Sequence, residues 1–306
     1  APMSGPAATP VGTAPDERLP APGSRLPAID RTPKLFIGGK QVRPDQGYAR
    51  PVRGPDGGLV GEVGEGNRKD VRNAVEAAHA AAGWGRGAGH VRAQILYYVA
   101  ENLSARSAEF AARLSAMTGA PAERAMAEVD AALSRLFTYA AWSDKHDGAV
   151  HGVPFRGVTL AMNEPVGVLG LAAPEDAPLL GFVSLVAPAV ATGNTVVVVP
   201  SEAHPLVATD FYGVLETSDL PDGVVNIVTG DKEALARVLA EHLDVDGLWF
   251  CGSAAGARDV EEASAGNMKR TWIVSPRDWF DPVRGEGREF LRRATEVKNI
   301  WIPYGE

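Results

Sequence analysis

The chain has 306 residues, of which 45% are hydrophobic and 22% are charged, and this is the composition of an ordinary globular protein. The net charge of −8 disfavours a nucleic-acid partner, because phosphate backbones require a basic surface. The single cysteine, Cys251, excludes an intramolecular disulfide and a cysteine-based zinc site. The 6 histidines contain no His-x-x-x-His pair, so the sequence predicts no metal site.

The first 33 residues contain eight prolines and almost no large apolar side chains. Such a stretch buries too little surface to offset the entropy lost on ordering, so it predicts a semi-extended linker at 1–33 or, equally well, a frayed tail. Because the chain starts with such a stretch and not with methionine, we expect it to be processed or to be a piece of a longer protein. No secretory signal is recognisable, which predicts a cytoplasmic protein.

Residues 177–201 carry no charge, and a run of that length raises the question of a membrane span. Pro178, Pro188, Gly193-Asn194 and Pro200 interrupt the run. They predict a buried helix, a turn and a strand, and therefore no membrane partner.

Residues 34–148 are predicted to begin with short strands and to continue as helices. A hairpin is expected at Gly38-Gly39 and a second turn at 55–58, and Asn67 predicts the capped start of a helix. Two amphipathic helices are expected at 91–104 and 107–117, and a further one starts near Pro121. Its predicted buried stripe, at helical spacing, is Met126, Val129, Leu133, Phe137 and Ala140.

The pattern changes near residue 148. Residues 149–162 predict an antiparallel pair of strands, and after them apolar strands alternate regularly with helices. The strands are expected at 166–171, 195–199, 224–228, 248–250 and 271–274, and the helices at 178–191, 205–217, 231–242 and 254–265. This alternation predicts an α/β fold with a doubly wound parallel sheet covered by helices on both faces. A last strand is expected at 297–302.

A doubly wound sheet binds ligands beyond the carboxyl ends of its strands. The candidate cofactor-binding residues at those ends are Glu202, for ribose hydroxyls, and Gly252 with Ser253, at a strand-to-helix turn whose N–H groups suit a phosphate. Each signal is weak alone, because any tight turn favours glycine and Glu202 fits a solvated loop carboxylate equally well. The sequence contains neither G-x-G-x-x-G nor a Walker A motif.

Several sequence segments, taken in chain order, resemble the aldehyde dehydrogenase superfamily from residue 34 to residue 303. They include Asn163-Glu-Pro-Val-Gly-Val-Leu-Gly170, Leu220-Pro-Asp-Gly-Val-Val-Asn226, Phe250-Cys-Gly-Ser253 and Ala294-Thr-Glu-Val-Lys298. The resemblance implies a Rossmann-like domain over 34–148 and 163–274. It also implies an antiparallel β arm over 149–162 and 295–303, of the kind that this family uses for oligomerisation.

The chain departs from the family pattern where the chemistry would be. The family has a tryptophan and an oxyanion-binding asparagine at the positions of Glu175 and Asp176, and a ribose-binding lysine at the position of Val199. Gly256 comes one residue early in the cofactor turn, and Cys251 stands where the family has threonine, so it does not match the nucleophile. The segment after Trp272 runs almost directly to the last strand, without the family's general-base motif or its catalytic domain. The resemblance therefore implies no catalytic residue in this chain.

A linker followed by a dehydrogenase without its catalytic domain resembles the second module of bacterial family 16 aldehyde dehydrogenases. The resemblance implies a pseudo-dehydrogenase module that holds no cofactor and docks by strand addition, through 149–162 and 297–302, onto an upstream catalytic module of the same polypeptide. The resemblance also implies that the parent is an NAD(P)-dependent enzyme that oxidises aldehydes to carboxylic acids and can form a homodimer.

Three alternatives remain open from the sequence. The arm strands could simply cap the domain. The chain could be a regulatory domain that still binds NAD(P) through vestigial Glu202, Gly252 and Ser253. It could also be a self-standing oxidoreductase that uses Cys251, although the nearest basic residue in the sequence is Arg258.

Overall fold

The structure, a computed structural model, describes residues 33–304, so the predicted linker over 1–33 lies outside the described residues except for its last residue. The strands are β1 (Leu35–Ile37), β2 (Lys40–Val42), β3 (Ala49–Arg53), β4 (Leu59–Gly64), β5 (Gly148–His151), β6 (Gly157–Pro165), β7 (Val168–Ala172), β8 (Thr195–Val199), β9 (Val225–Ile227), β10 (Gly247–Phe250), β11 (Arg270–Ile273) and β12 (Thr295–Pro303). The helices are α1 (Arg68–Ala80), α2 (Gly89–Ala105), α3 (Ser107–Thr118), α4 (Ala122–Trp142), α5 (Pro178–Ala191), α6 (Leu206–Asp210), α7 (Tyr212–Glu216), α8 (Lys232–Glu241), α9 (Ala254–Ser264) and α10 (Arg288–Arg293).

A seven-stranded sheet with the order β11-β10-β7-β8-β9-β1-β2 forms the centre of the fold. The strands from β11 to β9 are parallel, and β1 and β2 continue the sheet antiparallel at one edge. Helices α2 to α7 cover one face, and α1, α8 and α9 cover the other. The predicted doubly wound α/β fold is confirmed.

Side-chain alternation along each strand feeds the two cores. Val196 and Val198 of β8 pack on the side of α5, whereas Val197 and Val199 pack on the side of α1 and α8. Every residue of β7, β8 and β10 is buried. This explains why these strands are apolar without interruption.

The uncharged run at 177–201 folds as α5, a turn at Gly193 and β8, as the sequence predicted. Among residues 33–304, no helix is both long enough and apolar enough to cross a membrane. The predicted cap of α1 is confirmed as well, since the Asn67 side chain accepts from the backbone of Lys69 and Asp70, and Asp70 accepts from Asn67 N in return.

Two predictions about helices are wrong in detail. The buried face of α4 contains Val129 and Ala140 as expected, but Phe137 is 42% exposed and Leu136 and Tyr139 are buried in its place. Alanines fill much of this helix, so the sequence allows a stripe rotated by about one residue. The helix expected at 205–217 is two short helices, α6 and α7, that meet at Phe211. The ring of Phe211 packs edge-on against the ring of Phe182, with the two centroids 5.5 Å apart.

The arm strands form a separate three-stranded antiparallel sheet with the order β12-β6-β5. The register aligns Val150 with Leu160 and Leu160 with Ile300, so their side chains share one face. The remaining apolar members of this face, here called the arm face, are Val158, Met162 and Ile302. Val150 is 70% exposed, Ile302 49% and Met162 40%, whereas Val158, Leu160 and Ile300 are half-buried, so the described residues leave part of the arm face open.

Residues 275–294, here called the closing segment, connect β11 to β12 and contain α10, which the sequence analysis did not predict. Trp279, Phe290 and Leu291 of this segment are almost fully buried. The Phe290 ring lies 5.4 Å from the Trp272 ring, and Arg135 of α4 donates to Trp279 O at 2.7 Å and pairs with Glu286. The closing segment is thus an integral part of the core on the face of the central sheet that α2 to α7 cover.

Candidate functional site

A cleft of about 440 Å³ opens at the carboxyl ends of β7, β8, β10 and β11, next to the N-termini of α8 and α9. This is the edge at which a doubly wound sheet receives its ligands. All three sequence-predicted cofactor-binding residues, Glu202, Gly252 and Ser253, line this cleft. The other lining residues are Pro174, Glu175, Asp176, Lys232, Glu233, Cys251, Val274, Ser275, Pro276, Arg277 and Trp279.

Glu175 and Lys232 form an ion pair in the floor of the cleft. The Lys232 side chain is only 7% exposed, and its ammonium also donates to Ala173 O at 3.3 Å. The Glu175 carboxylate further accepts from Ser201 Oγ at 2.6 Å and from Ala203 N at 3.0 Å. Burial by itself would raise the pKa of Glu175, but these hydrogen bonds and the ammonium outweigh it and hold the pKa below its usual range.

The side chain of Glu202, which follows β8 in the chain, lies against the N-terminus of α8. Its Oε2 accepts from the backbone N–H of Lys232 at 2.9 Å, while Asp231 caps the same helix by accepting from Ala234 N at 2.9 Å. The first turn of α8 therefore directs two N–H groups to carboxylates of the protein itself.

Ser253 is the N-cap of α9, where its hydroxyl oxygen accepts from Gly256 N at 2.9 Å. The same hydroxyl donates to Glu233 Oε1 at 2.6 Å. A Cβ at Gly256 would lie 2.8 Å from Glu233 Oε1, and a Cβ at Gly252 would lie 2.3 Å from Phe250 Cζ. Both glycines are therefore needed for close packing within the chain, whether or not a ligand binds.

Cys251 ends β10 and is buried, and its backbone N–H donates to Ala172 O at 3.0 Å. Burial raises the pKa of its thiol to about 12. A thiol with such a pKa is a poor nucleophile at neutral pH. The structure thus places Cys251 in the cleft wall in a form that is chemically inert.

Arg277 of the closing segment forms the opposite wall. Its side chain is 8% exposed and its guanidinium lies over the rings of Trp272, Trp279 and Phe290, at 5.5, 5.8 and 5.3 Å from their centroids. Its Nη1 donates to Arg284 O at 2.8 Å. The guanidinium also pairs with Glu289 at 3.5 Å, so this cation is engaged by aromatic rings, a backbone carbonyl and a carboxylate of the chain itself.

A further buried carboxylate, Glu128 of α4, lies at the N-terminus of α5. Glu128 Oε1 accepts from Leu179 N at 2.9 Å and from Leu180 N at 3.2 Å, and burial raises the pKa of this carboxyl. The residue before α5, Ala177, has a left-handed backbone with φ of 51°, an uncommon conformation for a side chain with a Cβ. A carboxylate of the chain thus serves this helix N-terminus as well.

Sequence reasoning missed Lys232, Glu233 and Arg277 as cleft residues. For the first two, a signal was present, because they follow Thr229-Gly230 directly after β9 and every strand end in this fold faces the same edge. Arg277 gave no such signal, because its position depends on how the closing segment folds. In the described part of the chain, no group of three or more His, Cys, Asp or Glu side chains could hold a metal ion.

Residues 44–274 match the aldehyde dehydrogenase family. The chain belongs to this family. It is 34% identical over 246 residues to an aldehyde dehydrogenase of Agaricus bisporus, covering 78% of this chain and 49% of that protein. It is also 34% identical over 271 residues to a betaine aldehyde dehydrogenase of Hordeum vulgare, covering 84% of this chain and 54% of that protein.

Solved structures of aldehyde dehydrogenases have the same fold. A putative aldehyde dehydrogenase from Burkholderia cenocepacia superimposes with a TM-score of 0.76 at 31% identity, covering 80% of this chain and 50% of that one. A betaine aldehyde dehydrogenase from Staphylococcus aureus, solved in complex with NAD+, gives 0.75 at 25% identity, covering 79% and 49%. This family member thus spans about half the length of the relatives that it matches.

Proposed function

We propose that this chain is a non-catalytic module of a cytoplasmic, NAD-dependent aldehyde dehydrogenase of the family 16 type. In this proposal it docks through its three-stranded sheet onto a catalytic module of the same polypeptide, and that catalytic module oxidises aldehydes to carboxylic acids. The observation that carries the proposal is the closing segment. This segment leads from β11 to β12. Its side chains Trp279, Phe290 and Leu291 are buried in the hydrophobic core.

The chemistry of the cleft supports a non-catalytic role. Oxidation of an aldehyde through a covalent thiohemiacetal needs a thiolate and a base that activates water. The sequence has one cysteine, and burial raises the pKa of Cys251 to about 12. Asp176 would place a negative charge at the position where the family resemblance puts an oxyanion donor, and a carboxylate there opposes a developing oxyanion.

The cleft residues do not fit the NAD that the family implies. Val199, at the position of the family's ribose-binding lysine, is completely buried in the same apolar cluster as Phe250 and Val260 and has no group that could donate a hydrogen bond. Lys232, the cleft's lysine, is paired with Glu175. We therefore assign no cofactor to this chain and none of its residues to a step of hydride transfer.

The arm face supports docking. One face of the three-stranded sheet carries six apolar side chains, and β12 forms one edge of that sheet with β6 as its partner among the described strands. An apolar sheet face and an open strand edge favour association with another chain segment. Since the chain spans about half of its relatives, we propose the absent catalytic half, supplied by a neighbouring module, as the occupant.

Hydrogen exchange tests the docking directly. The backbone amides of β12 that point away from β6 should exchange slowly in the full polypeptide and rapidly in the 306-residue chain alone, because only a docked catalytic module would cover them. Equal exchange in the two samples would contradict docking.

Matched variants sharpen the test in the full polypeptide. Ile300→Asp places a charge in the middle of the arm face and should abolish protection of β12 and lower aldehyde oxidation. Leu243→Asp is the control, because Leu243 is 76% exposed and lies at the loop after α8. A full loss of activity with Leu243→Asp, or full protection of β12 with Ile300→Asp, would contradict the assignment of the arm face.

A further inference from the structure

Three carboxylates lie at the cleft edge where a doubly wound fold receives the phosphate and ribose groups of a dinucleotide. Glu233 faces the start of α9, Glu202 faces the start of α8, and Glu175 holds Lys232. Each of them therefore takes a donor that an anionic ligand would need.

Glu233 takes the position most important for a phosphate. A helix N-terminus carries a partial positive charge and free N–H groups, and α9 has 11 residues. Glu233 Oε1 lies 2.6 Å from the N-cap hydroxyl of Ser253, and a Cβ at Gly256 would come within 2.8 Å of it. The carboxylate thus lies against the first turn of α9 and contributes negative charge there.

Glu175 pairs with the Lys232 ammonium, the cation that a phosphate group would otherwise bind. The Lys232 ammonium is nearly enclosed, with Glu175 and Ala173 O as its partners. Arg277, the other cation of the cleft, lies over the rings of Trp272, Trp279 and Phe290 and pairs with Glu289 at 3.5 Å. Both cations are thus already paired with a carboxylate of the chain, while Asp176 adds a fourth carboxylate to the lining.

We infer that Glu175 and Glu233 close the cleft to NAD by occupying, with their own carboxylates, the donors that the phosphate groups of a dinucleotide would need. The cleft is open, but the donors that line it are taken by the protein's own carboxylates. This inference stands apart from docking, because a chain that docks could bind NAD and a chain that does not dock could exclude it.

Titration with NADH and with inorganic pyrophosphate tests the inference, using NADH fluorescence and calorimetry. The unmodified chain should show no saturable binding up to about 5 mM ligand. The double variant Glu175→Ala/Glu233→Ala frees Lys232 and the start of α9, and it should bind both ligands at least about tenfold more tightly, with an affinity that falls as salt is added. Asp259→Asn is the matched control, since it removes one charge from the exposed side of α9, where Asp259 pairs with Arg237.

Two results would overturn the inference. One is micromolar binding of NADH to the unmodified chain. The other is a folded double variant, as judged by circular dichroism, with no more affinity than the Asp259→Asn control. If the double variant does not fold, Glu233→Gln decides in its place, because it removes the charge, keeps an acceptor for Ser253 and should still strengthen pyrophosphate binding.

Discussion

Strands β8 and β12 are both rich in apolar residues, but they lie in very different surroundings. Every residue of β8 is buried between neighbouring strands and two layers of helices, whereas in β12 only Thr295 is buried. The apolar side chains of β8 find all their contacts inside the chain, and those of the arm face do not. The comparison shows that the central sheet finds its contacts within the chain, and it supports the proposal that the three-stranded sheet contacts another module.

The largest effect is expected where the closing segment joins the core. Phe290→Ala should lower the free energy of unfolding by about 3–5 kcal/mol, because it empties a fully buried site among Trp249, Trp272 and Trp279. Urea unfolding followed by circular dichroism measures it. Phe137→Ala is the control, and its cost should stay within about 1 kcal/mol because that ring is 42% exposed. Equal costs would show that the closing segment is not part of the core.

A slightly smaller effect is expected at the ion pair that holds the closing segment. Arg135→Met leaves the Glu286 carboxylate and the carbonyls of Trp279 and Asp281 without their cation, and it should cost about 2–4 kcal/mol. Lys298→Met breaks an exposed pair with Glu164 on the arm and should cost about 0–1 kcal/mol. If urea unfolding showed a larger loss of unfolding free energy for Lys298→Met than for Arg135→Met, the comparison between core and arm would be contradicted.

Substitution on the arm face should change association more than stability. Ile302→Ser should alter the free energy of unfolding by less than about 1 kcal/mol, since the side chain is 49% exposed. It should also reduce self-association of the isolated chain, which sedimentation measures, because the open apolar face loses one of its side chains. A loss of several kcal/mol would mean that the chain itself covers this face.

Burial of the Cys251 thiol should have the smallest effect on stability at neutral pH but a large effect on the reactivity of the thiol. With its pKa raised by burial from 9.0 to about 12, the thiol should react with iodoacetamide at pH 8 roughly a thousandfold more slowly than in urea. The folded state keeps its proton longer than the unfolded state, so stability should fall as pH rises from 9 toward 12. Mass spectrometry of the labelled protein checks the rate, and equal labelling with and without urea would contradict a buried thiol.

The central sheet could be predicted from the sequence because each of its signals is local. The β-branched run of β8, the Asn67 cap and the glycine turn at Gly38-Gly39 each specify their own structure within a few residues. The antiparallel pair at 149–162 followed from alternation in the same way, whereas its register with β12 came only from the structure. The prediction of these elements does not depend on where the rest of the chain lies.

The cleft could not be predicted to the same depth, because its contacts join distant residues. Glu175 and Lys232 are 57 positions apart, and Ser253 and Glu233 are 20 apart. The sequence identified Glu202, Gly252 and Ser253 as cleft residues but gave no sign that the neighbouring carboxylates would take their hydrogen bonds. The aromatic packing of Arg277 likewise depends on the path of the closing segment, which no periodic pattern specifies.

Turnover of an aldehyde by the purified 306-residue chain tests the central claim most directly. NADH formation should be measured with a panel of aldehydes and NAD+, for the unmodified chain and for Cys251→Ser. The account predicts that neither protein produces NADH faster than buffer does. Aldehyde-dependent NADH formation that disappears in Cys251→Ser would contradict it.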